Sequence, residues 1–370
     1  MQLHNIISRI RGESKTIGLD IGHRLARVAV VGHKQGAKGT LLALEQDTVP
    51  EGVIVDNEIR NASALIDRIH GLLARAMPGG IDGDFVTSVN WTSGILCDRI
   101  LVKPVPKVPE NELILQTAMG RNPFDDAGNV LDFSILERRE EGIEAMIVAA
   151  KKEGLTAWIN LFQALNIKLA AIDVDAFVLG NTYSYSSTKA STSGLPSEEE
   201  DDDSVLLLNL GYSKSYAVLL RNGFFNTARS ILGSAIHDLQ EQLSGPLNIS
   251  SEQACNLLMG SKVRETNLDD SKIKFAIEFI FEEMAMKVDT ALRYFGSSDN
   301  YKKPSKIIVT GGGSNIIGLT SFLADRLSLD VVQLNPFKAV QIDNSRFHDV
   351  DWNAAASTYT VALGLALRRF

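Results

Sequence analysis

The hydrophobic pattern of the chain consists of short apolar runs and longer amphipathic stretches, and three of the runs end in a glycine turn. They are TIGLDIG at Thr16–Gly22, LLLNLG at Leu206–Gly211 and KIIVTGGG at Lys306–Gly313. Apolar runs of this length bounded by glycine are typical of buried strands. Glycine at the end of such a strand lets backbone N–H groups approach a phosphate closely. The pattern therefore predicts three strand-ending turns that suit a phosphate-bearing ligand.

Strand and helix signals follow the same order in both halves of the chain. In the first half, strand patterns at Thr16–Gly22, Arg27–Gly32 and Thr40–Glu45 form a meander, and a helix over about Ala62–Met77 has Ser63 as a possible N-cap. In the second half another meander precedes helices at about Ser250–Met259, Ile273–Phe295, Leu319–Leu327 and Thr360–Arg369, with a strand at Val331–Leu334. This order of meander, helices and strand is shared by the two halves and predicts two related lobes around a cleft.

A different unit interrupts the first lobe. It opens with a strand pattern at Phe85–Asn90, and the proline spacing of Arg99–Pro109 favours an edge strand. A Ser-rich stretch ending in EEEDDD at Glu198–Asp203 is typical of a solvated linker. We therefore expect a first lobe over residues 1–84, 168–204 and 345–370, an inserted α+β subdomain over 85–167, a second lobe over 205–344, and an acidic Ser-rich linker over 184–203.

Composition and charge narrow the classes of protein. The 370 residues favour at least two domains, and the net charge of −8 without a long basic run argues against a nucleic-acid binder. No apolar run approaches the roughly 20 residues of a membrane span. An amphipathic pattern near the start fits either a short membrane-surface helix or a helix docked on the protein itself; its apolar positions are Leu3, Ile6, Ile7 and Ile10.

One acid stands where a predicted buried strand ends. Asp20 is flanked by the apolar residues of IGLDIG, which suits a metal-binding or water-positioning carboxylate, although an aspartate that only forms the turn fits as well. The histidines are scattered without ligand spacing, and no serine has a His and Asp partner in a hydrolase motif. The residues alone therefore point to a phosphate cleft rather than to a zinc site or a hydrolase.

Four segments resemble the nucleotide-binding loops of the actin, Hsp70 and FtsA superfamily. They are IGLDIG at Ile17–Gly22, NLGYSKSYAVL at Asn209–Leu219, IIVTGGGSN at Ile307–Asn315 and IDVDAF at Ile172–Phe177. The resemblance implies ATP with Mg²⁺ as the ligand, the metal being held in part by Asp20. It places Asp20, Asp175 and Asn209 at the metal and water positions. The residues that it implies contact the cofactor are Asp20, Gly22, His23, Arg24, Asn209, Gly211, Tyr212, Ser213, Lys287, Gly311, Gly312, Gly313 and Ser314.

Within that superfamily nearly the whole chain resembles the PilM family of cytoplasmic actin-like proteins in type IV pilus assembly. NPFDDAGNVLDFSIL at Asn122–Leu136 is similar to the family's PF…LDF signature, and the stretch from Tyr294 to Phe337 is similar to its adenosine-loop region. The resemblance implies an α/β, actin-like fold of two duplicated, ribonuclease-H-like lobes with a small inserted α+β subdomain. It also implies a scaffold peripheral to the inner membrane through its partners, namely the N-terminal tail of PilN, other pilus assembly proteins and possible copies of itself.

The chain departs from the family pattern at its phosphate loops. His23 and Arg24 replace small hydroxyl residues, Asn209 replaces an aspartate, and Lys287 replaces a glutamate. Asparagine lacks the negative charge that holds Mg²⁺ or orients a hydrolytic water. We therefore expect nucleotide binding to be retained or weakened and hydrolysis to be slow or absent. The positive charge of His23 and Arg24 either compensates for lost Mg²⁺ or lies exposed at a hairpin tip.

The inserted subdomain is the expected partner site. In PilM-like proteins it forms, with the first lobe, a groove for the PilN tail, and apolar anchors line grooves of this kind. Rival functions are a component of type II secretion or cell division and, with less support, a small-molecule kinase. The candidate lining residues, each of which fits ordinary core equally well, are Ile100, Val102, Val105, Val108, Leu113 and Phe124.

Overall fold

The structure is a computed structural model that describes residues 13–92, 94–121, 123–124, 127–187, 204–260, 269–296 and 303–370. The amphipathic positions before Glu13 and residues 188–203 of the expected acidic linker lie outside the described residues. The linker was expected to begin at Ser184, but a helix continues to Ser186, so that boundary was wrong by a few residues.

The described residues form β-strands and α-helices that we number in chain order. The strands are β1 (Glu13–Ile21), β2 (Leu25–Lys34), β3 (Thr40–Thr48), β4 (Ile54–Val55), β5 (Glu58–Ile59), β6 (Asp84–Val89), β7 (Leu96–Val102), β8 (Asn129–Arg139), β9 (Gly142–Lys151), β10 (Leu169–Val174), β11 (Ser204–Leu210), β12 (Ser215–Arg221), β13 (Phe224–Ser230), β14 (Lys306–Thr310), β15 (Asp330–Gln333) and β16 (Gln341–Ile342). The helices are α1 (Ala62–Ala76), α2 (Glu110–Met119), α3 (Lys152–Ala164), α4 (Asp175–Ser186), α5 (Ile236–Leu247), α6 (Ser251–Leu258), α7 (Asp270–Phe295), α8 (Leu319–Leu327), α9 (Trp352–Thr358) and α10 (Thr360–Ala366).

The first lobe is built on a six-stranded sheet of order β10-β6-β1-β2-β3-β16. β1, β2 and β3 form the predicted antiparallel meander, and β6 and β10 continue the sheet in parallel. We expected Phe85–Asn90 to open the inserted subdomain, and that assignment was wrong. Phe85 and Val86 are buried and pair with β1 in the middle of the sheet, because an apolar run of this kind needs cover on both faces.

The second lobe repeats this arrangement in a five-stranded sheet of order β13-β12-β11-β14-β15. β11 pairs antiparallel with β12 and parallel with β14, as β1 pairs with β2 and β6. Every residue of β11 is buried, which agrees with its continuous apolar sequence. The predicted duplication of two α/β lobes is therefore confirmed.

The inserted subdomain is smaller than expected. It consists of a three-stranded antiparallel sheet of order β7-β9-β8 with α2 packed on one face. β7 lies at an edge of this sheet, as its proline-rich continuation predicted. Helix α3, which we had included, instead buries Trp158 and Phe162 in the core of the first lobe. It thus belongs to the parallel crossover from β6 to β10.

The C-terminal part of the chain returns to the first lobe earlier than the expected residue 345. Phe337 and Val340 pack in one buried cluster with Ala29 of β2, and β16 pairs with β3. Helix α10 lies against β1 so closely that a side chain at Gly18 would overlap its backbone.

The N-cap of α1 is Asn61 and not the predicted Ser63, since the side chain of Asn61 accepts a hydrogen bond from the N–H of Ala64.

None of the helices that the structure describes combines the length and the hydrophobicity needed to cross a membrane.

Helix α5 was not predicted, because Gly245 and Pro246 in its last turn interrupt the helical pattern. It forms nevertheless, since Leu239 and Leu243 are buried in the core of the second lobe.

Candidate functional site

A cleft of about 1150 Å³ opens between the two lobes. That volume accommodates a nucleotide-sized ligand, since small-molecule sites typically measure about 300–1,000 Å³. Turns, helix ends and side chains from both lobes and from the C-terminal segment contribute to the walls. Among the lining residues are Arg24, Arg27 and Glu51 from the first lobe, Tyr212, His237, Asn256 and Gly312 from the second, and Asp351 and Tyr359 from the C-terminal segment.

The first predicted turn joins β1 to β2 and carries an ion pair. The N–H of Gly22 donates to the carbonyl of Leu25 at 2.9 Å, which closes the turn and places Asp20 opposite Arg27 in the ladder. Their side chains approach to 3.8 Å and are 22% and 13% exposed. Burial raises the pKa of Asp20 and the Arg27 charge opposes that rise. The guanidinium of Arg27 lies 5.9 Å from the Tyr359 ring centroid.

His23 and Arg24, which we had considered together, point to different places. Nε2 of His23 accepts a bond from the N–H of Asn57 at 3.3 Å, and burial lowers the pKa of His23. The ring is therefore a neutral acceptor bound to the β4–β5 turn. Arg24 lines the cleft, with its guanidinium 5.4 Å from the ring centroid of Tyr212. Of the two residues, only Arg24 brings its charge to the cleft.

The second turn joins β11 to β12 and holds the start of α5. The N–H of Gly211 donates to the carbonyl of Lys214, and the carbonyls of Gly211 and Tyr212 accept from the first N–H groups of α5. Tyr212 lines the cleft, and Ser213 lies half-buried in the same turn. Asn209 lies one strand position before the turn, opposite Tyr216.

The third turn, Gly311–Ser314, packs on the end of β11. Gly311 has φ +84°, and a Cβ there would lie 2.5 Å from the carbonyl oxygen of Leu210 and 2.8 Å from Oδ1 of Asn209. Gly312 reaches the cleft wall, whereas Gly313 packs on Leu210. Ser314 donates from Oγ to the carbonyl of Gly311 at 2.7 Å, which holds the turn closed.

Asp175 is buried at the first position of α4 and is not among the residues that line the cleft. Its carboxylate accepts bonds from the N–H of Trp91 at 2.7 Å and from Nδ2 of Asn90 at 2.9 Å. Burial raises its pKa to about 7, and the Trp91 bond opposes that rise. The fully buried hydroxyl of Tyr216 faces Asp175 and Asn209 and interacts with both, but it completes a well-formed hydrogen bond with no described residue.

Lys287 does not contribute to the cleft walls. Its Nζ donates to the carbonyl of Gly233 at 2.6 Å and lies 3.9 Å from Glu283, one turn earlier on α7. The residue expected at the adenosine side of the cleft therefore fastens α7 to the β13–α5 turn.

The residues at the expected metal positions do not fit a magnesium site. Asp20 is paired with Arg27, Asn209 is uncharged, and both carboxylate oxygens of Asp175 accept protein hydrogen bonds. Magnesium held through phosphate and water normally requires an uncompensated carboxylate. Within the part of the chain that the structure describes, no three His, Cys, Asp or Glu side chains are grouped to hold a metal ion.

The expected partner-binding residues separate into core and surface. Ile100, Val102 and Phe124 belong to the buried core of the inserted subdomain, so their assignment to a groove was wrong. Val105 has 47% of its surface exposed, while Val108 and Leu113 are half-buried. Leu101, 48% exposed, was missed, because alternation along a strand places it opposite Ile100 and Val102 but does not show which of the two faces is buried.

Two duplicated lobes around a cleft, with three strand-ending turns, define a protein of the actin-like fold. Solved structures with this architecture include ethanolamine utilization protein EutJ from Carboxydothermus hydrogenoformans (TM-score 0.53, 12% identity, 95% of this chain and 89% of that chain). Another is a diol dehydratase-reactivating factor (TM-score 0.54, 11% identity, 96% of this chain and 99% of that chain).

A family profile assigns the chain to one family among the proteins with this fold. The profile of the type IV pilus assembly protein PilM matches residues 18–370, so the chain belongs to the PilM family. The chain is also similar to a solved structure of a PilM–PilN type IV pilus biogenesis complex. That likeness has a TM-score of 0.77 at 25% identity and covers 95% of this chain and 98% of that chain.

Proposed function

We propose that this protein is an assembly scaffold of a type IV pilus that binds the cytoplasmic N-terminal tail of a PilN-like inner-membrane protein. It would sit on the cytoplasmic face of that membrane through this partner. The observation that carries the proposal is the likeness to a PilM–PilN complex over 98% of the compared chain, at a TM-score of 0.77. A likeness of that extent supports a shared role, since the family profile spans almost the same residues.

The surface of the inserted subdomain supports a peptide partner. β7 is an edge strand, so one side of its backbone has no paired strand among the residues that the structure describes. An extended peptide adds to such an edge by main-chain hydrogen bonds, and apolar pockets or side chains beside it give specificity. Leu101 and Val105 are exposed along this edge and its continuation. We assign the tail to this edge of the subdomain.

The cleft supports a nucleotide as a structural ligand of the scaffold. Its volume suits a nucleoside triphosphate, and the guanidinium groups of Arg24 and Arg27 line it, where they can meet the charge of an anion. A general base that takes a proton from the attacking water must be ionisable, and the neutral amide of Asn209 cannot take up a proton. ATP is therefore proposed as a ligand that is hydrolysed slowly or not at all.

Calorimetric titration with a synthetic PilN N-terminal tail tests the proposal. We expect micromolar binding by the wild-type chain and about tenfold weaker binding by Val105→Asp, because a charge at an apolar contact costs more than about 1.4 kcal/mol. The matched control is Val332→Asp, a valine of β15 with similar exposure in the second lobe, which should bind normally. Absence of binding by the wild type, or equal loss in both variants, would contradict the proposal.

A further inference from the structure

We infer that the cleft binds the phosphates of its nucleotide without a divalent cation, with the guanidinium of Arg27 at the place that a metal would otherwise take. The inference rests on the proposed nucleotide ligand and specifies how that ligand's charge is met. The sequence predicted a requirement for Mg²⁺. Three observations on the β1–β2 hairpin, which contributes Arg24 and Arg27 to the cleft wall, argue against that requirement.

The first observation is an unsatisfied donor. Nε of Arg27 is buried and has no hydrogen-bond partner among the described residues, although Arg27 lines the cleft. Its contact with Asp20, at 3.8 Å, is an ion pair beyond hydrogen-bond distance. The protein thus leaves part of the hydrogen-bonding capacity of Arg27 unused, which is costly in a buried group. The 13% of the side chain that remains exposed is the part that phosphate oxygens can contact, and their geometry matches the planar guanidinium.

The second observation concerns the acids that a metal would need. The charge of Asp20 is compensated by Arg27, which faces it directly across the β1–β2 ladder. Each carboxylate oxygen of Asp175 accepts a hydrogen bond, one from Trp91 and the other from Asn90. A cation entering this site would have to displace Arg27 from Asp20, and like charges at that distance repel. Asp20 therefore acts as the counter-ion of Arg27 and not as a metal ligand.

The third observation is a second cation in the same β1–β2 hairpin. Arg24 lies at the other side of Leu25, is exposed, and lines the cleft beside Tyr212. Its contact with that ring leaves its donors open towards solvent, so it can reach a phosphate from the opposite side. Two guanidinium groups together offset part of the charge that Mg²⁺ normally neutralises.

The test is a fluorescence titration of the full chain with a mant-labelled ATP, in EDTA and in Mg²⁺. We expect the dissociation constants of the wild type in the two conditions to agree within about threefold. Arg27→Met should weaken binding about tenfold or more in both conditions, and Arg27→Lys by less. Arg326→Met, an exposed arginine of α8 paired with Glu282, is the matched control and should bind as the wild type does.

Asp20→Asn separates the two roles of the acid and also serves if Arg27→Met does not fold. As the counter-ion of Arg27, Asp20 opposes an anionic ligand, so its neutralisation should leave nucleotide affinity unchanged or raise it. A metal ligand would instead lose affinity in Mg²⁺ when neutralised. Wild-type binding at least about tenfold tighter in Mg²⁺ would overturn the inference and leave the nucleotide proposal standing. Absence of binding in both conditions would overturn the nucleotide proposal and this inference with it.

Discussion

The N–H of Trp91 donates a 2.7 Å hydrogen bond to Oδ1 of Asp175, and the same tryptophan ring packs against Phe177 and Phe225. Trp91 lies between β6 of the first lobe and β7 of the inserted subdomain, while Phe225 belongs to β13 of the second lobe. One residue thus contacts the buried acid Asp175, the helix that this acid begins, and the opposite lobe. These contacts fix the start of the inserted subdomain to both lobes.

Asp175 should make stability depend on pH. Its pKa rises from 3.8 to about 7 on folding, so between these values the folded chain keeps a proton that the unfolded chain has lost. Raising the pH therefore removes stability, by roughly 2–3 kcal/mol between about pH 5 and about pH 8. Urea unfolding of the wild type should show this loss relative to Asp175→Asn. A difference between the two proteins that does not change with pH would contradict the assignment.

The hydroxyl of Tyr216 should contribute little to stability. It is fully buried and faces Asp175 and Asn209, but it completes a well-formed hydrogen bond with neither, and a buried unmade hydrogen bond costs about 1–3 kcal/mol. Tyr216→Phe removes the hydroxyl and keeps the ring, so we expect unchanged or greater stability in urea unfolding. A loss of more than about 1 kcal/mol would mean that the hydroxyl does bind Asp175 or Asn209.

Gly311 should be intolerant of any side chain. Alanine there would adopt a positive φ and place its Cβ 2.5 Å from the Leu210 carbonyl. Gly52 is the matched control, since it has φ +78° with open space around it. We expect Gly52→Ala to cost about 1 kcal/mol and Gly311→Ala at least about 2 kcal/mol more, measured by urea unfolding. Equal losses of unfolding free energy in the two variants would show that the third turn accommodates a side chain without strain.

Arg99 should hold the inserted subdomain against the second lobe. Its Nη2 donates to the carbonyl of Phe225 at 2.7 Å, and its Nη1 lies 3.4 Å from Glu144. Arg99→Met leaves that carbonyl without its donor, so we expect a loss of about 1–3 kcal/mol and faster proteolysis at β7. Arg121→Met removes an exposed ion pair with Asp98 and should cost less than about 1 kcal/mol. Similar costs for both would argue that Arg99 is an ordinary surface residue.

The sequence predicted local features of the fold well. α8 has the predicted bounds, and α6 forms within the predicted range Ser250–Met259, where Ser250 and Gln253 make a capping box at its start. Signals of this kind depend on a few neighbouring residues. The assignments of β6 and α3 failed because membership of a lobe depends on distant partners, here β1 and the core of the first lobe.

The candidate site was predicted less completely. The three turns were found because glycine after an apolar run is a local signal, but Arg27 was missed. Its importance comes from the β1–β2 register, which places it opposite Asp20. Alternation along β7 did not reveal which face was buried, so Ile100 and Val102 were chosen in place of Leu101. Side-chain direction in an edge strand depends on what packs beneath it.

Hydrogen exchange of the full chain, with and without a saturating PilN N-terminal tail, tests whether the tail pairs with β7. A peptide that adds to an edge strand pairs with its exposed N–H groups and slows their exchange. We predict slowed exchange over β7 (Leu96–Val102) and the Pro-rich segment after it, with α7 of the second lobe unchanged. Slowed exchange confined to the second lobe, or no change anywhere, would contradict it.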